Sequence, residues 1–301
     1  MGNFIDTYVG RFAPSPTGEL HLGSVVTAVA SYIRSRQKRG RWLLRIDDLD
    51  KKRERAGARD LILKGLNSLS LHWDEFTTQE RNFLDYKKAI TSLRQRGCTY
   101  ACECSRKSLP KGLYSGRCRN LNLEPTDNRG IRIKVNNSAI KCPDSFFGKS
   151  EINLVNQSGD FLIKPRDREA AYHLAVVVDD SKAGVTEIVR GADLLDSTPM
   201  QAYLYQQLNL QVPEYFHIPV VKDNRGVKLS KQMGAVPIDL NDGRPAMLFA
   251  LEYLGFVLPR TLRKDPSARL LQWAIKDSGK SILESLQSRF SAAEKKSFNS
   301  V

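Results

Sequence analysis

Leu22, Val25, Val26, Val29, Ala30 and Ile33 recur at the three- and four-residue steps of one helical face, in a run that ends at Gly40. A short apolar strand, Tyr8–Phe12, and a Pro/Gly-rich turn, Ala13–Gly18, precede that helix. After it, Trp42-Leu43-Leu44-Arg45-Ile46 reads as a buried strand, followed by a helix around Ala58–Leu71. Strand, turn, helix, strand is the opening of a doubly wound α/β domain on a parallel sheet. A further helix covers about Phe83–Arg96. From about Leu121 to Arg168 helical periodicity fades, and short segments such as Ile131–Val135 and Phe161–Lys164 alternate with turn residues, the texture of an insertion that is part helical and part β. Strands are expected to resume at Leu174–Val178 and Val185–Val189. A helix at Pro199–Leu208, a strand at Ile218–Val221 and a turn at Asp223-Asn224-Arg225-Gly226 follow, and the stretch from about Pro245 is helical and basic. The pattern divides the chain into two halves of a Rossmann-like domain, 1–80 and 169–235, an inserted subdomain at 81–168, and a helical C-terminal subdomain at 236–301.

Composition changes this picture little; charge changes it more. Hydrophobic residues make up 41% and charged residues 27% of the 301, ordinary globular material with ample core. No apolar run approaches the roughly 18–20 residues that a membrane span needs. The start, MGNFIDTYVG, has no basic segment followed by an apolar one, and Asp6 stands where a myristoylation motif wants Ser or Thr. The cytoplasm is the expected location. Against this background 47 basic side chains face 33 acidic ones, a net charge of +14. Residues 34–60 and 94–119 carry most of the excess. Clustered cations seek a polyanion, because each phosphate neutralised releases counterions; nucleic acid is favoured and an anionic membrane surface is second.

The five cysteines stand at 98, 102, 104, 118 and 142. An odd count without an export signal argues against a disulfide framework, and the cluster from 98 to 118 looks like a metal site. Cys102, Cys104 and Cys118 are three candidate thiolate ligands, and spacing alone favours Cys98 as the fourth.

Two loops carry candidate chemistry. Pro14-Ser15-Pro16-Thr17-Gly18-Glu19-Leu20-His21-Leu22-Gly23-Ser24 joins the first strand to the first helix, which in an open α/β sheet is the ligand crevice, with a helix N-terminus that favours phosphate. His21 and Ser24 can donate hydrogen bonds there, and Gly23 removes a side chain that would block close approach. Val227-Lys228-Leu229-Ser230-Lys231-Gln232 can set an ammonium on a polyphosphate. Each loop alone is also consistent with a helix cap or a solvated basic loop.

Together they resemble the two signatures of class I aminoacyl-tRNA synthetases: His21-Leu22-Gly23-Ser24 is similar to "HIGH", and Lys228-Leu229-Ser230-Lys231-Gln232 to "KMSKS". Arg11–Gly18 (RFAPSPTG), Arg45-Ile46-Asp47-Asp48-Leu49-Asp50 and Val189-Arg190-Gly191-Ala192-Asp193-Leu194 narrow the resemblance, from about residue 8 to 257, to the glutamyl-tRNA synthetase group. The stretch beyond Gln232 is too short for the anticodon-binding portion of a full member. That, with the C-x-C-x9-Y-x3-C pattern, points to the shortened branch that acts on queuosine in tRNA(Asp). The resemblance implies a class I Rossmann-like parallel-sheet catalytic domain and one structural zinc on Cys102, Cys104, Tyr114 and Cys118. It implies a monomer that activates glutamate without tRNA, using ATP with Mg²⁺, and passes the glutamyl group to the anticodon loop. His21 and Lys231 would be catalytic, and His21, Gly23, Ser24, Lys228, Ser230 and Lys231 would hold ATP. Arg11 and Arg190 would take the side-chain carboxylate of glutamate, with Ala13 and Ser15 lining its pocket and Tyr172 closing it. Asp47 would read the amino group where the family has Glu, and His173 stands where Asn is expected. A truncated glutamyl-tRNA synthetase charging a 3′ end, a non-catalytic RNA-binding paralogue and a zinc-stabilised DNA-binding protein are the competing readings.

Overall fold

A computed structural model describes residues 7–105, 114–222 and 238–291. The chain opens with β1 (Val9–Phe12), α1 (Leu22–Gln37), β2 (Arg41–Ile46), α2 (Ala58–Ser68), β3 (Glu75–Thr78) and α3 (Phe83–Gln95). Then come β4 (Thr99–Cys102), β5 (Gly130–Ile133), the hairpin β6 (Ala139–Asp144) and β7 (Gly148–Asn153), the single turn α4 (Leu154–Gln157) and β8 (Leu162–Lys164). α5 (Tyr172–Lys182), β9 (Glu187–Gly191), α6 (Thr198–Gln207) and β10 (Glu214–Ile218) complete the α/β region, and α7 (Arg244–Tyr253), α8 (Ser267–Gln272) and α9 (Ile282–Arg289) end it.

β1, β2 and β3 are parallel neighbours in that order, and β9 pairs in parallel with β10. The two groups meet at β1 and β9: the Thr186 N–H donates to the Val9 carbonyl (2.9 Å) and the Val9 N–H to Thr186 Oγ1 (3.0 Å). From β1 the chain moves outward one way to β2 and β3, and from β9 the other way to β10. That reversal is the topological switch point at which an open parallel sheet forms its ligand crevice, beyond the carboxyl ends of the strands.

α1 forms where its apolar stripe predicts. His21 is its N-cap, and Ser24 returns the bond to the His21 backbone, a reciprocal capping box. Its buried face joins Trp42 and Leu44 of β2 in one core, which α7, α8 and α9 extend through Met247, Leu251, Leu271 and Leu286. A second core unites α3, α5 and α6 with the β5 and β6 side of the inserted region. Within residues 81–168, β4, β5 and β8 form a small antiparallel sheet, whereas β6 joins β10 through Tyr215 and Asp144 and so extends the parallel sheet of the main domain.

Three elements differ from the sequence reading. Leu174–Val178 is the centre of α5, not a strand. Every residue from Leu174 to Asp180 is buried, and a helix buried on all sides has no polar face to betray its period. The last strand lies at Glu214–Ile218 rather than Ile218–Val221, because Glu214 and His217 interrupt its apolar run. β3 carries no apolar alternation and was not expected at all.

α1 stops at Gln37, and Gly40 lets β2 start beside Tyr8: a Cβ there would stand 2.2 Å from the Tyr8 carbonyl oxygen, which already accepts from the Arg41 N–H at 2.9 Å. Gly40→Ala should therefore cost about 1–3 kcal/mol of stability, as overpacking does, read as a lower denaturant midpoint. An unchanged midpoint would mean that the Tyr8 backbone yields freely.

Candidate active site

A cleft of about 790 Å³ opens at the carboxyl ends of β1, β2, β9 and β10. It gathers all the candidate phosphate and glutamate residues that lie within the described portions: Arg11, Ala13, Ser15, His21, Gly23, Ser24, Asp47, Tyr172 and Arg190. Lys228, Ser230 and Lys231, with the turn Asp223–Gly226, lie outside the described residues. Backbone bonds pin the loops to each other, the Asp47 N–H donating to the Pro14 carbonyl and the Arg55 N–H to the Pro16 carbonyl, each at 3.0 Å.

His21 Nδ1 accepts from the Ser24 N–H at 3.3 Å. An acceptor at Nδ1 puts the proton of the neutral ring on Nε2, so His21 carries a donor at the start of a helix, where the dipole already favours anions. Ser24 Oγ donates to the His21 carbonyl (2.7 Å) and accepts the His21 N–H (2.9 Å), so this hydroxyl serves the cap.

The floor of the cleft is a buried charge cluster. Arg11 Nε donates to both oxygens of Asp180, at 3.2 and 3.4 Å, and its Nη1 donates to the Val189 carbonyl. Arg45 gives Nη1 to Asp180 (2.6 Å) and Nε to Asp47 (2.7 Å), while its buried Nη2 has no partner among the described residues. Asp179 accepts from Gln79, Asn82 and Tyr86. Burial pushes the Asp47 carboxyl above its ordinary range, partly offset by Arg45. Burial raises Asp179 further, to about 6, against the pull of Arg45. For Asp180 burial acts the same way, but Arg11 and Arg45 outweigh it and hold the carboxyl low. Neither Arg45 nor Asp180 was singled out from sequence as a site residue. Arg45 stood inside a recognised motif, but Asp180 sat in a helix read as part of a strand and its loop.

Tyr172, at the start of α5, stands 40% exposed at the rim. His173 does not line the cleft; it packs edge-on against Phe161 and Tyr172. The basic run 34–60 is divided. Lys52, Arg53 and Arg55 line the mouth of the cleft. Arg34, Arg36 and Arg41 stand toward the opposite end of the sheet, paired with Glu187, Asp74 and Glu75. The charge excess there is part fold, not all ligand surface.

The second cluster lies in the inserted region. The Sγ atoms of Cys102, Cys104 and Cys118 are within 4.8 Å of one another. Tyr114 Oη is 3.6 Å from Cys102 Sγ and 4.0 Å from Cys104 Sγ, and Cys104 and Cys118 are 3.5 Å apart. A zinc–sulfur length near 2.3 Å makes the edges of a tetrahedron about 3.8 Å, so these four groups have the spacing to hold such an ion. Cys98 is not among them: its thiol faces the Arg96 carbonyl and Gln207. Burial raises the Cys102 thiol, but the Arg132 guanidinium, donating to it at 3.2 Å, brings it down to about 7. Arg132 also lies over the Tyr114 ring at 3.7 Å, a partner not predicted from sequence.

Comparison with known proteins agrees with the geometry. Residues 8–257 match the catalytic domain of class I tRNA synthetases (E and Q), so fold and cleft are those of that class. The glutamate-tRNA synthetase of Elizabethkingia anophelis superposes with a TM-score of 0.76 at 23% identity, over 97% of this chain and 70% of that one. The Glutamyl-Q tRNA(Asp) synthetase of Photorhabdus laumondii is 44% identical over 82% of this chain and 79% of its own length. That of Ectopseudomonas mendocina is also 44% identical, over 88% and 91%. The chain belongs to the glutamyl-Q tRNA(Asp) synthetase family. No helix among the described residues is long and apolar enough to cross a membrane.

Asp180 is the anion on which two buried arginines depend. Asp180→Ala should cost about 3–5 kcal/mol, because it leaves both without their shared carboxylate. The folded pKa of Asp180 is depressed, so its stabilisation is complete above the unfolded value of about 4 and is lost as pH falls through the folded value. Urea unfolding should accordingly give a wild-type advantage that is full at neutral pH and shrinks in acid below about pH 4. An equal advantage at every pH would place the effect in packing instead.

Proposed function

We propose that this protein activates glutamate with ATP and transfers the glutamyl group to queuosine in the anticodon of tRNA(Asp). The observation that carries the reading is the convergence on one cleft of the His21 turn, Arg11, Asp47 and Arg190, in a chain whose 44%-identical relatives are named for that product. In the first step a glutamate α-carboxylate oxygen bonds to the α-phosphorus of ATP, and pyrophosphate leaves. In the second a queuosine hydroxyl oxygen attacks the acyl carbon, its proton is lost, and AMP departs. Both steps ask the protein for positioning and charge stabilisation more than for covalent chemistry.

His21, through Nε2–H, and the backbone at Gly23 meet the phosphates, with Ser24 holding His21 in place. Lys228, Ser230 and Lys231 bring cationic and hydroxyl donors to the charge that develops on the departing pyrophosphate, which Mg²⁺ accompanies. Arg11 and Arg190 bind the side-chain carboxylate, Asp47 the ammonium, Ala13 and Ser15 form the wall, and Tyr172 the rim. The basic mouth at Lys52, Arg53 and Arg55 meets the RNA backbone. Substrates of this kind suit a cytoplasmic enzyme. In the inserted subdomain, Cys102, Cys104, Tyr114 and Cys118 would hold one zinc. Four protein ligands leave no open position, so that ion would supply rigidity rather than a nucleophile.

The deciding experiment is transfer of labelled glutamate to tRNA(Asp). Label should appear on queuosine-containing tRNA, survive removal of the 3′-terminal adenosine, and be absent with guanine at the wobble position. Loss of label on removal of the 3′ adenosine would indicate a truncated conventional synthetase. His21→Ala and Lys231→Ala should each lower adenylate formation by about 10²–10³, the scale of one lost transition-state donor, measured by ATP–pyrophosphate exchange. Protein purified without chelator should carry near-stoichiometric zinc, and Cys104→Ser should lose it with a fall in melting temperature. A metal-free wild type of equal stability would count against the zinc.

A further inference from the structure

Arg190 is held from behind more completely than any other cation of the cleft. Its Nε donates to His217 Nε2 at 2.9 Å, its Nη1 to Gln201 Oε1 at 2.6 Å, and its Nη2 to Thr198 Oγ1 at 2.8 Å and the Leu194 carbonyl at 3.2 Å. Four of the five N–H groups of a guanidinium are thereby committed, leaving one on Nη1. Arg11, by contrast, has no partner for Nη2 among the described residues. A carboxylate seated between them takes a single bond from Arg190, whose direction is set by the groups behind it.

Of those groups His217 is the one whose role is conditional. Arginine can only donate, so His217 Nε2 must accept, and the ring proton must sit on Nδ1. There it meets Asp144 Oδ2 at 2.7 Å, and the same oxygen accepts the His217 N–H at 2.9 Å. Asp144 Oδ1 accepts the Phe146 and Phe147 N–H groups at 2.9 and 2.7 Å. Both carboxylate oxygens are occupied, and the ring is fully buried and stacked on Tyr215. Burial lowers the affinity of His217 for a second proton, with Arg190 acting in the same sense, so the accepting form persists although Asp144 pulls the other way.

We propose that His217, oriented by Asp144, is a positioning residue for glutamate: it fixes the Arg190 guanidinium so that its remaining N–H faces the side-chain carboxylate. The inference rests on the reading of Arg190 as a glutamate ligand. It gives the β6–β7 hairpin a function, because Asp144 ends β6 and ties the inserted region to His217 through both its ring and its backbone N–H.

The test is a set of variants assayed by ATP–pyrophosphate exchange, with glutamate and ATP varied separately. His217→Leu removes the acceptor and should raise the glutamate KM about 10- to 100-fold, the effect of losing one buried hydrogen bond to a charged group, with the ATP KM within about twofold. His217→Gln places an amide oxygen where Nε2 stood and should recover most of the loss. Asp144→Asn should mimic His217→Leu, since an amide N–H opposite Nδ1 drives the ring proton to Nε2, facing Arg190. If Asp144→Asn does not fold, the Leu/Gln pair at 217 still decides. Arg190→Ala is the control. If it raises the glutamate KM while a well-folded His217→Leu does not, or if Gln rescues nothing, the positioning role is wrong. If Arg190→Ala itself leaves the glutamate KM unchanged, the underlying assignment of Arg190 fails instead.

Discussion

A guanidinium cannot be taken out of water alone, and this cleft is built around that constraint. Arg11, Arg45 and Arg190 are each at most 5% exposed, and an uncompensated buried charge costs several kcal/mol. For Arg11 on β1 and Arg45 on β2 the compensation comes from α5, whose Asp180 serves both, whereas Arg190 is met by neutral acceptors. α5 must therefore sit behind the sheet with its acidic end at the seam between the strand groups, and its remaining sides must be apolar to pack there. The same ion pairs hold β1, β2 and α5 in one register, so the fold and the charge balance of the cleft are solved by one set of contacts. Because the arginines are fixed before any ligand arrives, little reorganisation is left for binding.

The arrangement bears on Asp47. On the proposed reading it meets the substrate ammonium with a side chain one methylene shorter than the Glu that the sequence resemblance leads one to expect. Its Oδ1 is bound to Arg45 at 2.7 Å, and its Oδ2 has no side-chain donor among the described residues. Arg45 thus sets the direction of this carboxylate and, by its charge, opposes the upward push that burial gives its pKa. Asp47 and Arg190 share a logic: each ligand group on the proposed reading is aimed by a buried partner, Arg45 in the cleft floor and His217 behind it.

This division explains what could be read in the sequence. Loop motifs such as the His21 turn and RFAPSPTG are contiguous, their spacing is local, and the strand–turn–helix order places them at one crevice before any coordinates are known. Asp180, His217, Asp144 and Arg132 act through partners far along the chain, and none lies in a periodic pattern. His217 even disguised its own strand, since a polar residue in an apolar run argues against burial unless its partners are known. The Leu174–Val178 run failed for a related reason: a helix surrounded on all sides is as uniformly apolar as a buried strand. The basic segment 34–60 was overread, because ion pairs such as Arg34 with Glu187 join residues more than a hundred positions apart and look like free charge in one dimension.

The inserted region is bound to the cleft from two directions, and the cysteine cluster stands at the end of one of them. Arg132 bridges Cys102 and the Asp160 carbonyl, at 3.2 and 2.7 Å. The Asp160 carboxylate gathers Tyr100, Arg119 and the Val135 N–H. The next residue, Phe161, packs on His173, which packs on Tyr172 at the rim. An ion held by the cluster would add no reactive group, but it would fix one end of this path. The hairpin end is fixed separately, through Asp144 and His217 to Arg190. A region tied to the rim, to a cleft arginine and, through β6, to the sheet itself cannot shift without disturbing one of them. Its orientation is therefore set by the same contacts that shape the cleft.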